Sequence, residues 1–256
     1  MMPLTIKQFP CFSDNYGYLI RDEQTGVVAA IDTPEADKIN AGLNAEGWRL
    51  DLILNTHHHF DHTGGNLALK EHWNCEIIGP RNEAEKIPGI DRAVGEGDTI
   101  AVGNAKADVF DTPGHTAGHI VYYFAEEAAA FVGDTIFALG CGRLFEGTAE
   151  QMWTSLSKIK ALPQETLLYC AHEYTEANAR FALSIEPDHP GLKARAAAIA
   201  ATRAKGASTV PTSVAEECAT SPFLRADDPA LRTALGMTNA SDLDVFTEVR
   251  HRKDNF

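Results

Sequence analysis

The chain has 256 residues, 44% of them hydrophobic, and a formal net charge of −14 from 22 basic and 36 acidic side chains. That length buries a substantial core, as one large domain or a medium one with a small companion, and the negative charge opposes non-specific binding to nucleic acid or anionic membrane. The opening Met1-Met2-Pro3-Leu4-Thr5-Ile6-Lys7 lacks the basic flank and apolar run of a secretory signal, and no stretch approaches the roughly 20 apolar residues that span a bilayer. A soluble, cytoplasmic protein is expected.

Short β-branched and aromatic runs predict strands over 4–9, 16–21, 27–32, 50–55, 76–79, 106–111, 120–124, 129–133 and 166–171. Helical periodicity covers 35–46, 66–73 and 149–162, the last opened by Thr148 and Gln151 at capping-box spacing. After about residue 174 strand-like runs disappear. An Ala-rich helix is expected over 192–205, ending at Gly206; Ser213 with Glu216 forms another capping pair, and Ser241 caps a final helix from 242 to about 254. The five cysteines (Cys11, Cys75, Cys141, Cys170, Cys218) are odd in number and scattered, as expected of reduced thiols rather than a disulfide framework.

The chemistry concentrates in Thr56-His57-His58-His59-Phe60-Asp61-His62-Thr63-Gly64, where His57, His59, Asp61 and His62 are metal-capable. Surface histidine clusters also occur without metal, but four potential ligands within six positions favour a metal centre. Imidazole with carboxylate suits zinc, iron or manganese, and no thiolate lies nearby to close the site into a structural zinc. In an extended segment alternate side chains share a side, which groups His57, His59 and Asp61 and turns His58 and Phe60 away. The ligands are therefore expected on a loop, with Gly64-Gly65 allowing a tight turn beside it.

Three further candidates each follow a strand: His115 after Thr112-Pro113-Gly114, Asp134 after Phe131-Val132-Gly133, and His172 after Tyr169-Cys170-Ala171. Strand ends are where a rigid scaffold presents reactive side chains. Taken singly, each has an ordinary structural reading as a turn residue or a satisfied buried histidine.

Taken together, the order and spacing of these motifs resemble the metallo-β-lactamase superfamily. Within it the chain is similar to the glyoxalase II (hydroxyacylglutathione hydrolase) family over nearly its whole length, through Ser13-Asp14-Asn15-Tyr16, Gly140-Cys141-Gly142-Arg143-Leu144-Phe145-Glu146-Gly147-Thr148, His172-Glu173-Tyr174-Thr175, Ser221-Pro222-Phe223-Leu224-Arg225 and Val249-Arg250-His251-Arg252-Lys253-Asp254. The resemblance implies an α/β fold: a four-layer αββα metallo-β-lactamase sandwich over 1–173 with a smaller, mainly helical glutathione-binding domain over 174–256.

It also implies two divalent metal ions, zinc first with iron or manganese as alternatives. His57, His59 and His115 would hold one, Asp61, His62 and His172 the other, and Asp134 would be shared. Asp61 and Asp134 would hold the hydroxide that attacks S-D-lactoylglutathione or related thioesters, giving glutathione and D-lactate, the second step of methylglyoxal detoxification. Arg143, Tyr174, Arg250 and Lys253 would contact the substrate, the last two through its glycine carboxylate, since residues three apart share a helix face. No membrane or nucleic-acid partner is implied, and a monomer is expected.

Two positions depart from the family: Phe145, where relatives carry tyrosine, removes one hydroxyl contact, and Ser221 replaces a common asparagine. His72, His119, His189 and His251 are read as structural or surface residues, His119 also as an outer partner of the metal ligands. The competing functions are a mononuclear-iron persulfide dioxygenase of the same superfamily, which would lack the helical tail, and a non-catalytic metal-binding module.

Overall fold

The structure is a computed structural model that describes residues 4–256; residues 1–3, part of the opening read above for a leader, lie outside the described residues. Two compact units are present: one runs to Thr112 and includes Thr116–Gly133, the other comprises Pro113–His115 and Asp134–Phe256.

The first unit opens with β1 (Leu4–Cys11), β2 (Asn15–Asp22) and β3 (Val28–Ile31), paired antiparallel in sequence. Helix α1 (Ala36–Glu46) returns the chain to β4 (Leu52–Leu54), and the one-turn α2 (Phe60–Thr63) and α3 (Asn66–Trp73) lead to β5 (Glu76–Pro80). A 3-10 turn over Arg81–Lys86 leads to β6 (Arg92–Val94), so strands three to six run parallel. Strands β7 (Thr99–Val102), β8 (Ala105–Asp111), β9 (Ile120–Phe124) and β10 (Ala129–Gly133) form an antiparallel second sheet.

Period-two alternation explains how β2 serves both faces of the first sheet. Leu19 packs with Val28, Ile39, Leu43, Ile53 and Leu69 beneath α1 and α3, whereas Tyr18 meets Phe131 of β10 edge-on, ring centroids 5.5 Å apart. Gly47 (φ 68°) ends α1 in the left-handed conformation that glycine adopts without a Cβ penalty.

The second unit carries the short pair β11 (Ile136–Phe137) and β12 (Gly140–Cys141), then α4 (Ala149–Lys160), β13 (Leu167–Cys170) and α5 (Thr175–Ile185). Helix α6 (Pro190–Arg203) is followed by β14 (Thr212–Ser213), which pairs with β13, then α7 (Val214–Thr220), α8 (Pro229–Leu235) and α9 (Asp242–Asp254). Leu139, Ala179, Ala182, Leu192 and Ile199 make a local core. Both capping boxes, Thr148 with Gln151 and Ser241 with Asp244, are formed, whereas Ser213 accepts from Glu216 N without a reciprocal bond. Helix α6 begins before the expected 192 because Pro190 fits the first helical turn and His189 caps Leu192 N.

Two local expectations are corrected. The metal loop bends at Thr56 and His57 and runs irregularly to His59; Asp61 and His62 sit in α2, so Asp61 shares a helical turn with His62 rather than an extended face with His57 and His59. Gly64 and Gly65 take right-handed angles (φ −59° and −87°). What they supply is room, since a Cβ there would lie 2.8 Å from the Phe60 carbonyl or 2.9 Å from that of Thr33. Among the described residues no helix is long and apolar enough to cross a membrane.

Candidate metal centre

In the first unit, β3 and β4 end side by side and deliver the metal loop. Asp32, just past β3, is held at φ 53°, an uncommon conformation for a residue with a Cβ. Its carboxylate accepts from Thr56 N and Thr56 Oγ1, both at 2.8 Å, and from the Nδ1–H of His62 at 2.8 Å. Fixing the proton on Nδ1 leaves Nε2 of His62 available to a metal and raises its basicity. Sequence reasoning missed Asp32. Its signal was available, because Ile31-Asp32 is an acid closing an apolar strand, as Val132-Gly133-Asp134 is.

The other candidate ligands of this unit are anchored as closely. His57 Nδ1 lies 3.1 Å from Thr56 Oγ1, and its Nε2 lies 3.0 Å from His59 Nδ1. Asp61 Oδ2 is 3.5 Å from His62 Nε2 and accepts from Asn15 Nδ2 at 3.0 Å. Asn15 belongs to the Ser13-Asp14-Asn15-Tyr16 motif and thereby gains a role. Asn55 donates to the His62 carbonyl at 3.1 Å and accepts from Asn66 at 2.8 Å, securing the turn. His119 stacks on His57 (4.8 Å, 26°) with Nδ1 3.0 Å from Thr112 Oγ1, so it supports a ligand ring from behind. Gly133, at φ 47°, is required there, since a Cβ would lie 2.6 Å from both His119 Nε2 and Thr56 Oγ1.

In the second unit, Asp134 Oδ2 lies 3.3 Å from His115 Nε2 and 3.5 Å from His172 Nε2. His115 Nδ1–H donates to the Arg143 carbonyl at 2.9 Å, which again leaves Nε2 for a metal. Arg143 thus acts on the site through its backbone. Tyr174 stacks on His172 (4.8 Å, 4°), and Phe145, 62% exposed, sits edge-on to His115 at 5.3 Å.

Donor spacing tests whether metal fits. Ligands on a tetrahedral ion with bonds of roughly 2.0–2.1 Å are about 3.3 Å apart. The donor pairs within each unit follow this edge: 3.0 Å for His57–His59, 3.5 Å for Asp61–His62, 3.3 Å for His115–Asp134 and 3.5 Å for His172–Asp134.

The proposed substrate contacts separate in the structure. Arg250 is only 4% exposed; it donates to the Cys141 carbonyl at 3.0 Å and to Asp254 at 2.7 Å, with its guanidinium 5.3 Å from the Phe223 ring. Its charge stands behind the surface. Lys253 is partly buried over Phe181 and Phe256. Burial lowers its pKa to about 8, and the charges of Arg250, Arg180 and Arg143 add to that effect. Ser221, fully buried, has a hydroxyl without a partner among the described residues.

Fold and donor set define a metal-binding domain of the metallo-β-lactamase type. The family profile described as Metallo-beta-lactamase superfamily matches residues 18–172, and the one described as Hydroxyacylglutathione hydrolase C-terminus matches 173–256. Proteins named hydroxyacylglutathione hydrolase from Maricaulis maris and Rhizobium meliloti are 56% and 53% identical over 256 residues, covering 100% of each chain. Among solved structures, ETHE1 from Myxococcus xanthus gives a TM-score of 0.69 at 28% identity (96% of this chain, 90% of that one), and the B3 metallo-β-lactamase BLEG-1 gives 0.67 at 21% (86% and 99%). The chain belongs to the hydroxyacylglutathione hydrolase (glyoxalase II) family of thioester hydrolases, whose superfamily membership implies divalent metal binding.

Proposed function

We propose that the chain hydrolyses S-D-lactoylglutathione and related 2-hydroxyacylglutathiones to glutathione and the free 2-hydroxy acid, with two divalent ions, zinc first, at the site. His57, His59 and His115 are assigned to one ion, Asp61, His62 and His172 to the other, and Asp134 to both. The observation that carries this reading is the donor spacing, with Asp32 and the Arg143 carbonyl each fixing an Nδ1 proton so that Nε2 faces the ligand partner. When bound, such ions supply Lewis acidity and lower the pKa of water to roughly 7, making a nucleophile available at neutral pH.

The chain's own residues hold and orient. Asp61 is fixed by Asn15, and Asp134 stands between His115 and His172. Water's oxygen joins the acyl carbon, the carbon–sulfur bond breaks with its electron pair going to sulfur, and of the two water protons one ends on the released thiolate and the other passes to solvent. A thiol with a pKa of about 8.5 leaves readily, so no general acid is required of the protein. Lys253 and Arg143 are assigned to the glutathione carboxylates and Tyr174 to its peptide, with Arg250 reinforcing the positive field from within. The catalytic domain is assigned to 1–173 and the glutathione-binding domain to 174–256. Placement in the cytoplasm accords with five free cysteines, and a monomer is proposed.

The test combines kinetics on a panel of glutathione thioesters with elemental analysis of the same preparation. Thioester turnover with about two ions per chain is expected. Oxygen uptake with glutathione persulfide, without thioester hydrolysis, would instead establish the dioxygenase reading; full metal occupancy with neither activity would establish a binding module.

A further inference from the structure

His58 stands between two ligand histidines and has no place in the proposed metal set. Its backbone N–H donates to Glu83 Oε2 at 3.0 Å, and its ring Nδ1–H donates to the same oxygen at 2.7 Å. The other carboxylate oxygen, Glu83 Oε1, accepts from Gly118 N at 2.7 Å. Glu83 is 2% exposed and lies in the 3-10 turn over Arg81–Lys86, so a buried carboxylate collects three donors from two loops. One loop carries His57 and His59 and leads directly into α2 with Asp61 and His62; the other runs from Thr116 to His119, immediately after His115.

Steric room is arranged for this contact. A Cβ on Gly118 would lie 2.5 Å from Glu83 Cγ and 2.9 Å from Asn82 Cβ, so any larger residue would displace the carboxylate or its turn. A buried carboxylate is costly unless its acceptors are filled, and hydrogen bonds to an ionised acceptor are the strong ones. Three donors on Glu83 therefore define one arrangement of the two loops. The ring of His58 cannot ligate through Nδ1 while it donates there.

We propose that Glu83 is a positioning residue for the metal centre, holding the 57–62 loop to the 116–119 loop through His58 and Gly118, and that His58 serves this clamp rather than a metal. This rests on the metal reading above. The clamp acts on how tightly metal is held, and it touches neither substrate nor reacting atoms.

Glu83→Gln retains the shape of the side chain but leaves one acceptor for three donors. His58→Ala removes the ring arm, and Gly118→Ala attacks the same contact sterically. Zinc affinity is measured by competition with a chromophoric chelator, alongside thermal unfolding of each metal-free protein. Each variant is expected to bind zinc about ten-fold or more weakly, the range seen when outer partners of metal ligands are removed. The Glu83→Gln/His58→Ala double variant should lose little beyond Glu83→Gln alone, and excess zinc should restore kcat with KM unchanged. Should Glu83→Gln fail to fold, His58→Ala and Gly118→Ala carry the same test. Wild-type zinc affinity in the folded variants overturns the proposal, as does a weakening fully matched by unfolding of the metal-free protein. A wild-type protein that takes up no metal would overturn this inference and the metal reading together; normal uptake with unaffected variants removes only the clamp.

Discussion

His62 Nδ1 lies 2.8 Å from Asp32 Oδ2, across thirty residues of chain. The same carboxylate group takes both the backbone and the hydroxyl of Thr56, so it is filled by donors that fix the start of the metal loop and the tautomer of a ligand at once.

Asp32→Asn should therefore weaken metal binding about 10- to 100-fold, as removal of such partners does, because an amide can present its NH2 group to Nδ1 and favour the wrong tautomer. Chelator competition reads the affinity; an unchanged dissociation constant would deny Asp32 this role.

Stripping the metal with a chelator should abolish thioester hydrolysis, and stoichiometric zinc should restore it. Elemental analysis of each sample accompanies the rates. Full activity in a verified metal-free preparation would end the metal mechanism.

Lys253 sets a pH dependence. Its pKa is depressed to about 8, so the ammonium proposed to attract the substrate's carboxylate is present below that value and lost as pH rises through it. KM for the glutathione thioester should rise across pH 8. Lys253→Ala should raise KM about ten-fold at pH 7, from loss of a charged hydrogen bond, and flatten that rise; parallel pH profiles in wild type and variant would count against the assignment.

Glu217, fully buried, accepts from Leu139 N at 2.8 Å and from Thr212 Oγ1 at 2.6 Å, and pairs with Arg195. Glu217→Ala leaves Arg195 with only the half-exposed Glu216 carboxylate, 3.4 Å away, and leaves the Leu139 N–H without its acceptor; it should cost ~3 kcal/mol of stability, the lower end for breaking a buried pair, measured by denaturant unfolding. A loss under ~1 kcal/mol, the size of an exposed pair, would show that the charge is solvated.

Phe145 is exposed beside His115. Phe145→Tyr should lower KM by roughly two- to ten-fold, the worth of one neutral hydrogen bond, with kcat little changed. An unaltered KM would mean that the missing hydroxyl faces solvent.

Legibility followed distance along the chain. Helix α4 was readable because Thr148, Gln151 and the apolar spacing lie within a few residues of one another. The short strands β6, β7, β11, β12 and β14 were not, since two to four residues carry too little pattern and are fixed by the partners they pair with. The turn that makes α2 was hidden for the same reason: His59 and Phe60 are compatible with either an extended or a helical continuation.

The sequence by itself determined the donor chemistry, since imidazole and carboxylate at seven motif positions are a matter of residue identity, and with the terminal motifs it determined the family. Tertiary structure decided which nitrogen of His62 and His115 is left to ligate, through Asp32 and the Arg143 carbonyl. It also decided that Arg250 is a buried charge bonded to Cys141, 109 residues away, rather than an open cation. Hydrogen bonds of that separation leave no periodic trace in the chain, because they depend on where two loops meet after folding and not on the residues beside them.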